Sequence, residues 1–385
     1  MRRIVLVLCL LILCTGCMHS KNLDEYAYVL NVGVERGTTM PFLVTVLVSV
    51  PGTGSEQTKV QNVVLSAEAR TLSEAVETLN AAYPSRLSFS RASLLVLHKD
   101  LVRDGAQTAF LDVSFGKMDL WPNLRMVICD EAVKETMEGW ISDADPSLRK
   151  IKTSVGELAL RSGLLADTGY SEYAECVRDR RIDALIAYAG QTEWTVKEDM
   201  VGGETYPYLG GALLIDGGLS TSTAGSAVFD GDRMVGVLNG QHTMAVLMVR
   251  DAFESGELLC TLPDGQPMSV RLYRVRRPKI RLSGGAASVT VYLEADMIAP
   301  ESVEMSSEDW KAYVCAVLEQ RFSRVFSALR EANSDAMGFG RFAAKRFHRA
   351  EDWEAYDWKA AYRSLTATFK VELKLAHNPR ESILE

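Results

Sequence analysis

The chain has 385 residues, 47% of them hydrophobic and 24% charged, and its 42 basic and 50 acidic residues give a net charge of −8. This composition indicates a globular protein of two or three domains and excludes a chain that is largely disordered, collagen-like or coiled coil. After the N-terminal residues, the chain has no run of about 20 apolar residues that could span a bilayer. Neither end of the chain concentrates the Lys and Arg that a nucleic-acid surface needs.

An export signal is predicted at the N-terminus. Arg2 and Arg3 precede ten apolar residues, 4–13, which is the length of the hydrophobic region of a secretory signal. The next four residues, Cys14-Thr-Gly-Cys17, resemble a lipobox, whose last cysteine receives diacylglycerol; Cys14 stands where Leu is usual. We therefore predict a lipoprotein signal peptide over 1–16 and stable anchoring in a bilayer through two acyl chains on Cys17. The alternative is an ordinary cleaved signal with incidental cysteines.

Four cysteines follow, without any Cys-x-x-Cys pair: Cys129, Cys176, Cys260 and Cys315. Export permits one or two disulfides among them. Cys129 ends an apolar strand and Cys315 lies on the apolar face of a helix, and both are packing positions. Four buried free cysteines are therefore the favoured interpretation.

Residues 17–190 mix strands and helices, and we predict an N-terminal α+β domain over this range. Two β-rich runs, 23–34 and 42–50, predict an antiparallel hairpin. A capping box, Thr71-Leu-Ser-Glu74, predicts the start of a helix that ends before Pro84. Further strands are predicted at 92–97 and 124–129, and further helices near 155–165 and 171–180.

Residues 191–255 predict a smaller, strand-rich middle domain. Short apolar runs at 209–215, 227–229 and 234–238 are separated by turn residues. Asp230-Gly231-Asp232 lies between the last two, and Asp-Gly between apolar runs is a strong hairpin signal.

Residues 256–385 predict a C-terminal α+β domain. Strands within 269–296 alternate around Gly284-Gly285, and a long helix over 306–333 has a capping box at Ser306 and Asp309. A last strand over 367–375 alternates apolar and polar residues. The chain is therefore predicted to be a multi-domain α+β protein, with about three mixed domains and largely antiparallel sheets behind the signal peptide.

No catalytic or metal-binding motif is found in the sequence. Phosphate loops, zinc-binding histidine pairs, nucleophile elbows and dinucleotide-binding glycine motifs are absent, and the five histidines are scattered. The acid pairs Glu351-Asp352 and Asp143/Asp145 fit a glycosidase, but such pairs are common on solvated loops. We predict no enzymatic activity, no metal and no cofactor.

A basic cluster stands out in this acidic chain. It fits contact with lipid phosphates or with an acidic partner; the alternative is that it forms the solvent-facing side of a strand pair. Its members are Arg271, Arg274, Arg276, Arg277, Lys279 and Arg281.

Several motifs, in order along nearly the whole chain, resemble the GerC-like lipoproteins, the C subunits of bacterial spore germinant receptors. They are the segment after Cys17, Thr71-Leu-Ser-Glu-Ala, Leu209-Gly-Gly-Ala, and 227–239 (AVFDGDRMVGVLN). The most specific is 334–342 (SDAMGFGRF), placed after the long helix as the family's Asp-x-x-Gly-Phe-Gly is. Met18 and His19 replace the family's Trp-Asp, and Arg91 stands where His is common.

The resemblance implies a non-catalytic, three-domain lipoprotein on the outer face of the spore inner membrane. It would act with an A-type subunit and a permease-like B-type subunit in nutrient-triggered germination. The resemblance also makes Asp335, Gly338, Phe339 and Gly340 candidates for a family-specific loop. The main alternative is a solute-binding lipoprotein of a transporter, which would have two similar α/β lobes with parallel sheets. A lipid-anchored hydrolase is a second alternative, and it would need convergent carboxylates in a pocket.

Overall fold

The computed structural model describes residues 26–51, 60–115, 124–141, 161–191, 208–213, 220–263, 265–296 and 305–376. Within these ranges the chain forms a nine-stranded sheet and a four-stranded sheet. The described residues contain no helix that is long and apolar enough to cross a membrane.

The strands of the larger sheet are β1 (Tyr26–Arg36), β2 (Phe42–Pro51), β3 (Val60–Ala69), β4 (Arg86–Ser88), β5 (Leu94–His98), β6 (Arg125–Cys129), β7 (Leu185–Gln191), β8 (Thr221–Asp230) and β9 (Arg233–Leu238). Their order in the sheet is β3-β2-β1-β5-β6-β7-β8-β9, with β4 beside the start of β1.

The centre of this sheet is parallel and its flanks are antiparallel. Strands β1, β5, β6 and β7 run in one direction, whereas β1–β2–β3 and β7–β8–β9 are antiparallel. The hairpin predicted for 23–34 and 42–50 is confirmed as β1 and β2. Nearly every residue of β5, β6 and β7 is buried, as expected for parallel strands covered on both faces.

Helices surround the larger sheet: α1 (Leu72–Ala82), α2 (Lys99–Arg103), α3 (Ala106–Phe115), α4 (Val133–Gly139), α5 (Tyr170–Asp179) and α6 (Gly240–Arg250). The predicted cap of α1 is confirmed, because the Thr71 hydroxyl accepts a hydrogen bond from the Glu74 amide at 3.2 Å. The helix predicted near 171–180 is confirmed as α5, whereas most of the one near 155–165 lies outside the described residues.

The strand-rich segment 191–255 contributes β8 and β9 to the larger sheet, and the boundary suggested at 190 falls inside β7. The Asp230-Gly231-Asp232 turn does join β8 to β9. Residues 209–213, predicted as part of a strand, form a turn instead, and 214–215 lie outside the described residues. The division into three domains remains a prediction.

The strands of the smaller sheet are β10 (Ser255–Thr261), β11 (Pro267–Ser283), β12 (Ala286–Ala295) and β13 (Thr366–Leu375). They lie in the order β10-β11-β12-β13, with β12 and β13 parallel. The expected alternation around Gly284-Gly285 is confirmed. On β12 the residues that face the core are Ala287, Val289, Val291, Leu293 and Ala295.

The long helix α7 (Ser307–Glu331) packs its apolar stripe against this sheet. As predicted, the Ser306 hydroxyl caps it by accepting from the Asp309 amide at 3.1 Å. Short elements then lead to β13: α8 (Gly340–Ala343), a 3₁₀ turn (Ala344–Arg346), α9 (Ala350–Glu354) and α10 (Trp358–Arg363).

Helix α6 lies between the two sheets. All eleven of its residues are buried, and it contacts β8, the strands β10–β12 and α7. One hydrophobic core therefore includes Leu185 and Val228 of the larger sheet together with the smaller sheet and α7. Because α6 is covered on every side, its sequence GQHTMAVLMVR has no apolar stripe that would predict a helix.

The four cysteines after Cys17 are free; three are buried and Cys315 is half-buried.

Candidate functional site

The carboxylate of Asp335 organises the loop that follows α7. One oxygen, Oδ1, accepts from the amides of Gly338 at 3.0 Å and Phe339 at 2.9 Å. The other, Oδ2, accepts from the Gly340 amide at 2.6 Å and from the Trp358 indole N–H at 3.0 Å. Asp335 is only 1% exposed, so four N–H donors surround a carboxylate that is removed from water.

The two glycines of this loop are required by geometry. Gly338 has φ +81°, a conformation that residues with a Cβ rarely adopt, and a Cβ there would lie 2.8 Å from Ile182. At Gly340 a Cβ would lie 2.6 Å from the Arg181 carbonyl oxygen and 2.7 Å from the Trp358 indole nitrogen. The loop can therefore approach residues 181–182 and Trp358 only because both positions lack side chains.

Asp335 is joined to Asp183, just before β7, by two hydrogen bonds. The Asp335 amide donates to Asp183 Oδ2 at 2.6 Å, and the Asp183 amide donates to the Asp335 carbonyl at 3.2 Å. The other oxygen of Asp183 accepts from the Gly231 amide at 2.9 Å, in the β8–β9 turn. Asp183 thus connects the larger sheet to the loop after α7.

Lys359 supplies the positive charge of this cluster. Its Nζ lies 2.5 Å from Asp183 Oδ2 and 2.6 Å from Asp230 Oδ1, and it donates to the Asn333 carbonyl at 2.8 Å. The Asn333 side chain in turn donates to Asp230 Oδ2 at 2.8 Å. We name Asp183, Asp230, Asn333, Asp335 and Lys359 the junction.

A second ion pair, between a buried arginine and an exposed glutamate, borders the junction. The Arg250 guanidinium, at the end of α6, contacts Glu172 of α5 at 2.5 Å and donates to the Asp183 carbonyl at 3.3 Å. Residue Arg250 is 8% exposed, so its charge is held inside the protein by this pairing.

Burial dominates the electrostatics of Asp335. It raises the pKa of the carboxyl to about 7, and the nearby charge of Asp183 acts in the same direction. The amides of Gly340 and Phe339 and the Trp358 indole oppose this rise, because they donate to the ionised form. Every side-chain oxygen of Asp335 and Asp183 accepts a hydrogen bond from a backbone amide, an indole N–H or a lysine ammonium. The junction therefore holds together segments that are distant in sequence.

A cleft of about 700 Å³ lies beside the junction, between the end of α5 and the segment that carries α9 and α10. Its lining includes the basic residues Arg178, Arg180, Arg181 and Lys359, the aromatic residues Trp353, Tyr356 and Trp358, and the acids Asp179, Glu354 and Asp357. Trp353 and Trp358 are nearly buried, with ring centroids 6.2 Å apart.

The structure brings Asp335, Gly338, Phe339 and Gly340 together in one loop, and the role of that loop remains a prediction. Cys17 lies outside the described residues, as do Asp143 and Asp145. Glu351 and Asp352 are exposed in the first turn of α9. In the described part of the chain no three His, Cys, Asp or Glu side chains are grouped as metal ligands.

Sequence reasoning missed Asp183, Arg250 and Lys359. Asp183 is an isolated acid in the apolar run IDALIAYA, and that is the one local signal for a buried, paired carboxylate. Lys359 follows Trp358 in a helix that has no unusual sequence feature, and its partners Asp183 and Asp230 are distant in sequence. No local signal therefore identifies Lys359.

Two family models match the chain. The model described as "Spore germination protein N-terminal domain" matches residues 19–188, and the one described as "Spore germination B3/ GerAC like, C-terminal" matches residues 224–378. Asp183 lies in the first match, and Asp230 and Asp335 lie in the second. The junction therefore joins the two matched segments.

The fold is similar to that of a solved structure titled "Crystal Structure of the GerBC protein". The TM-score is 0.53 and the sequence identity 12%, over 90% of this chain and 97% of that chain. A search of curated proteins finds no match.

Proposed function

Because this chain belongs to the Ger(x)C family of spore germinant receptor C subunits, we propose that it is the lipid-anchored, non-catalytic C subunit of a nutrient germinant receptor. In this proposal it works in a complex with A-type and B-type membrane subunits and is needed for nutrient-triggered germination. It sits on the outer face of the spore inner membrane, held by the diacylglyceryl group on Cys17.

The observation that carries the proposal is the pair of family matches, one on each side of the junction. The two described sheets also differ in size, with nine strands and four. This asymmetry speaks against the two similar lobes of a solute-binding lipoprotein. The carboxylates of the junction are paired or hydrogen-bonded, which supports a structural role.

The proposal is tested in the spore former that carries the gene. We expect deletion of the gene to abolish dipicolinate release in response to particular nutrients, while germination triggers that bypass nutrient receptors still work. Cys17→Ala should reduce the same responses and abolish metabolic labelling of the protein with a radioactive fatty acid. Ser20→Ala, three residues further on, is the matched control and should keep both. If Cys17→Ala is labelled as strongly as the parent, the lipid attachment is wrong; if it is unlabelled but germinates normally, the anchor is not needed for function.

A further inference from the structure

Positive charge is concentrated in two segments that contain no acid. Residues 274–283 (RVRRPKIRLS) have five Arg or Lys, and residues 336–350 (AMGFGRFAAKRFHRA) have four, in a chain with a net charge of −8. The first is most of β11, and the second runs from the Asp335 loop to the start of α9.

The fold places these two segments side by side. The Arg346 guanidinium donates to the Leu282 carbonyl at 2.7 Å, and α8 also contacts β11. Strand pairing adds a cation from β13, since Lys279 pairs with Thr290, and Thr290 with Lys370. Basic side chains from two strands, β11 and β13, and from the 341–349 segment therefore lie near the hairpin end of the smaller sheet.

Part of this charge is neutralised and the rest is not. Arg274 and Arg277 pair with Asp251 at 2.8 and 3.1 Å, and Arg276 lies 3.9 Å from Glu372. Seven other cations are exposed and form no ion pair with any described residue. We name them the basic surface: Lys279, Arg281, Arg341, Lys345, Arg346, Arg349 and Lys370.

Aromatic side chains lie among these cations. Phe342 and Phe347 are half-buried, and the Lys345 ammonium lies 4.7 Å from the centre of the Phe342 ring. Tyr356 is 39% exposed and packs on Phe347, with ring centroids 5.1 Å apart. Basic residues mixed with aromatic ones are typical of surfaces that lie at a bilayer interface.

The basic surface lies at the end of the molecule where the described chain begins. Tyr26 starts β1, which is parallel to β5 and β7, so Tyr26 and the start of β7 share one edge of the larger sheet. At this edge Gly340 packs directly against Arg181. Cys17 is nine residues before Tyr26 and so lies within about 30 Å of it, the reach of a fully extended segment.

We propose that the basic surface lies against the anionic phosphate headgroups of the membrane to which the chain is tethered. This rests on the lipid attachment of the proposed function and goes beyond it by assigning an orientation: the hairpin end of the smaller sheet faces the bilayer. Arginine and lysine bind phosphate oxygens through charge-assisted hydrogen bonds. Each cation near an anionic surface strengthens binding about fivefold.

The test uses the chain from residue 18 onward, which keeps every described residue and carries no lipid. We expect it to cosediment with vesicles of phosphatidylglycerol and phosphatidylcholine, more weakly as salt rises, and not with phosphatidylcholine alone. The exposed double variant Lys279→Glu/Arg281→Glu should bind the anionic vesicles at least about 25-fold more weakly.

The matched control is Arg103→Glu/Lys134→Glu, a half-buried and an exposed cation at the opposite edge of the larger sheet, where the parallel strands end. It should bind like the parent. Equal binding by the parent and the Lys279/Arg281 variant would overturn the proposal, as would no preference for anionic vesicles; the second outcome would favour an acidic protein partner. Because the tested chain lacks Cys17, this result is independent of whether Cys17 is lipidated.

Discussion

Replacing Asp335 with Asn tests the junction with a change of one atom. The carboxylate accepts four hydrogen bonds, two on each oxygen. An Asn side chain has one carbonyl oxygen, which can serve one pair of donors. Its NH₂ group must then face the other pair, and donors cannot bond to donors. If the oxygen keeps Gly338 and Phe339, the Gly340 amide and the Trp358 indole lose their acceptor.

The expected decrease in the free energy of unfolding follows from the number of buried donors that lose their acceptor. A buried donor left unsatisfied costs about 1–3 kcal/mol. Two such donors give a loss of about 2–6 kcal/mol, which is a large part of the 5–15 kcal/mol that stabilises a typical domain. We therefore expect Asp335→Asn to lower the free energy of unfolding by several kcal/mol.

The assay is urea unfolding followed by circular dichroism and tryptophan fluorescence at about pH 8, where the Asp335 carboxylate is ionised. Trp358 reports directly on the junction. Asp357→Asn is the matched control, because Asp357 is an exposed helix cap that accepts from the Ala360 amide at 2.9 Å. Asn caps a helix as well as Asp does, so that variant should unfold like the parent. A loss below about 1 kcal/mol for Asp335→Asn, with an unchanged dependence on urea concentration, would mean that the variant leaves no buried donor without an acceptor.

Two further predictions concern a glycine and an exposed acid. Gly340→Ala should destabilise the protein by about 1–3 kcal/mol in the same urea assay, because its Cβ would lie 2.6 Å from the Arg181 carbonyl oxygen. Gly169→Ala, whose Cβ would meet nothing closer than 3.7 Å, should cost less, and equal losses would contradict the close-approach argument. For Glu68, the Thr38 hydroxyl and the amides of residues 38–40 lower the pKa to about 2. A lowered pKa stabilises the 37–41 turn above about pH 4.5, and this stabilisation is lost as the pH falls toward 2. Hydrogen-exchange protection of these amides should therefore fall over that range in the parent, whereas in Glu68→Gln, which keeps one acceptor oxygen and does not titrate, it should be lower than in the parent at neutral pH and independent of pH; a parent with pH-independent protection would contradict the assignment.

Local signals made much of the fold predictable. The hairpin of β1 and β2, the cap of α1, the Asp-Gly turn and the long helix α7 each depend on residues close together in sequence. Their patterns are alternation, a capping side chain, a turn dipeptide and an apolar stripe. For this reason the predicted and observed bounds of α7, 306–333 and Ser307–Glu331, nearly coincide.

Non-local pairing explains what sequence reasoning did not predict. The parallel centre depends on which strands lie beside β5 and β6, and an all-apolar run such as RMVIC does not show its neighbours. Helix α6 is buried on every side, so its residues lack the period that identifies a surface helix. Likewise the Asp335 loop was found through its resemblance to a family motif, while Asp183 lies about 150 residues away in sequence and gave no sign of pairing with it.

Membership of a germinant receptor complex can be measured on the protein itself. The tagged full-length chain is purified from spore inner membranes in mild detergent, and its partners are identified by mass spectrometry. We expect co-purification of an A-type subunit and a permease-like B-type subunit, and neither should be recovered in a mock purification from spores that carry the untagged chain. Recovery of a transporter permease with its ATPase instead would contradict this membership.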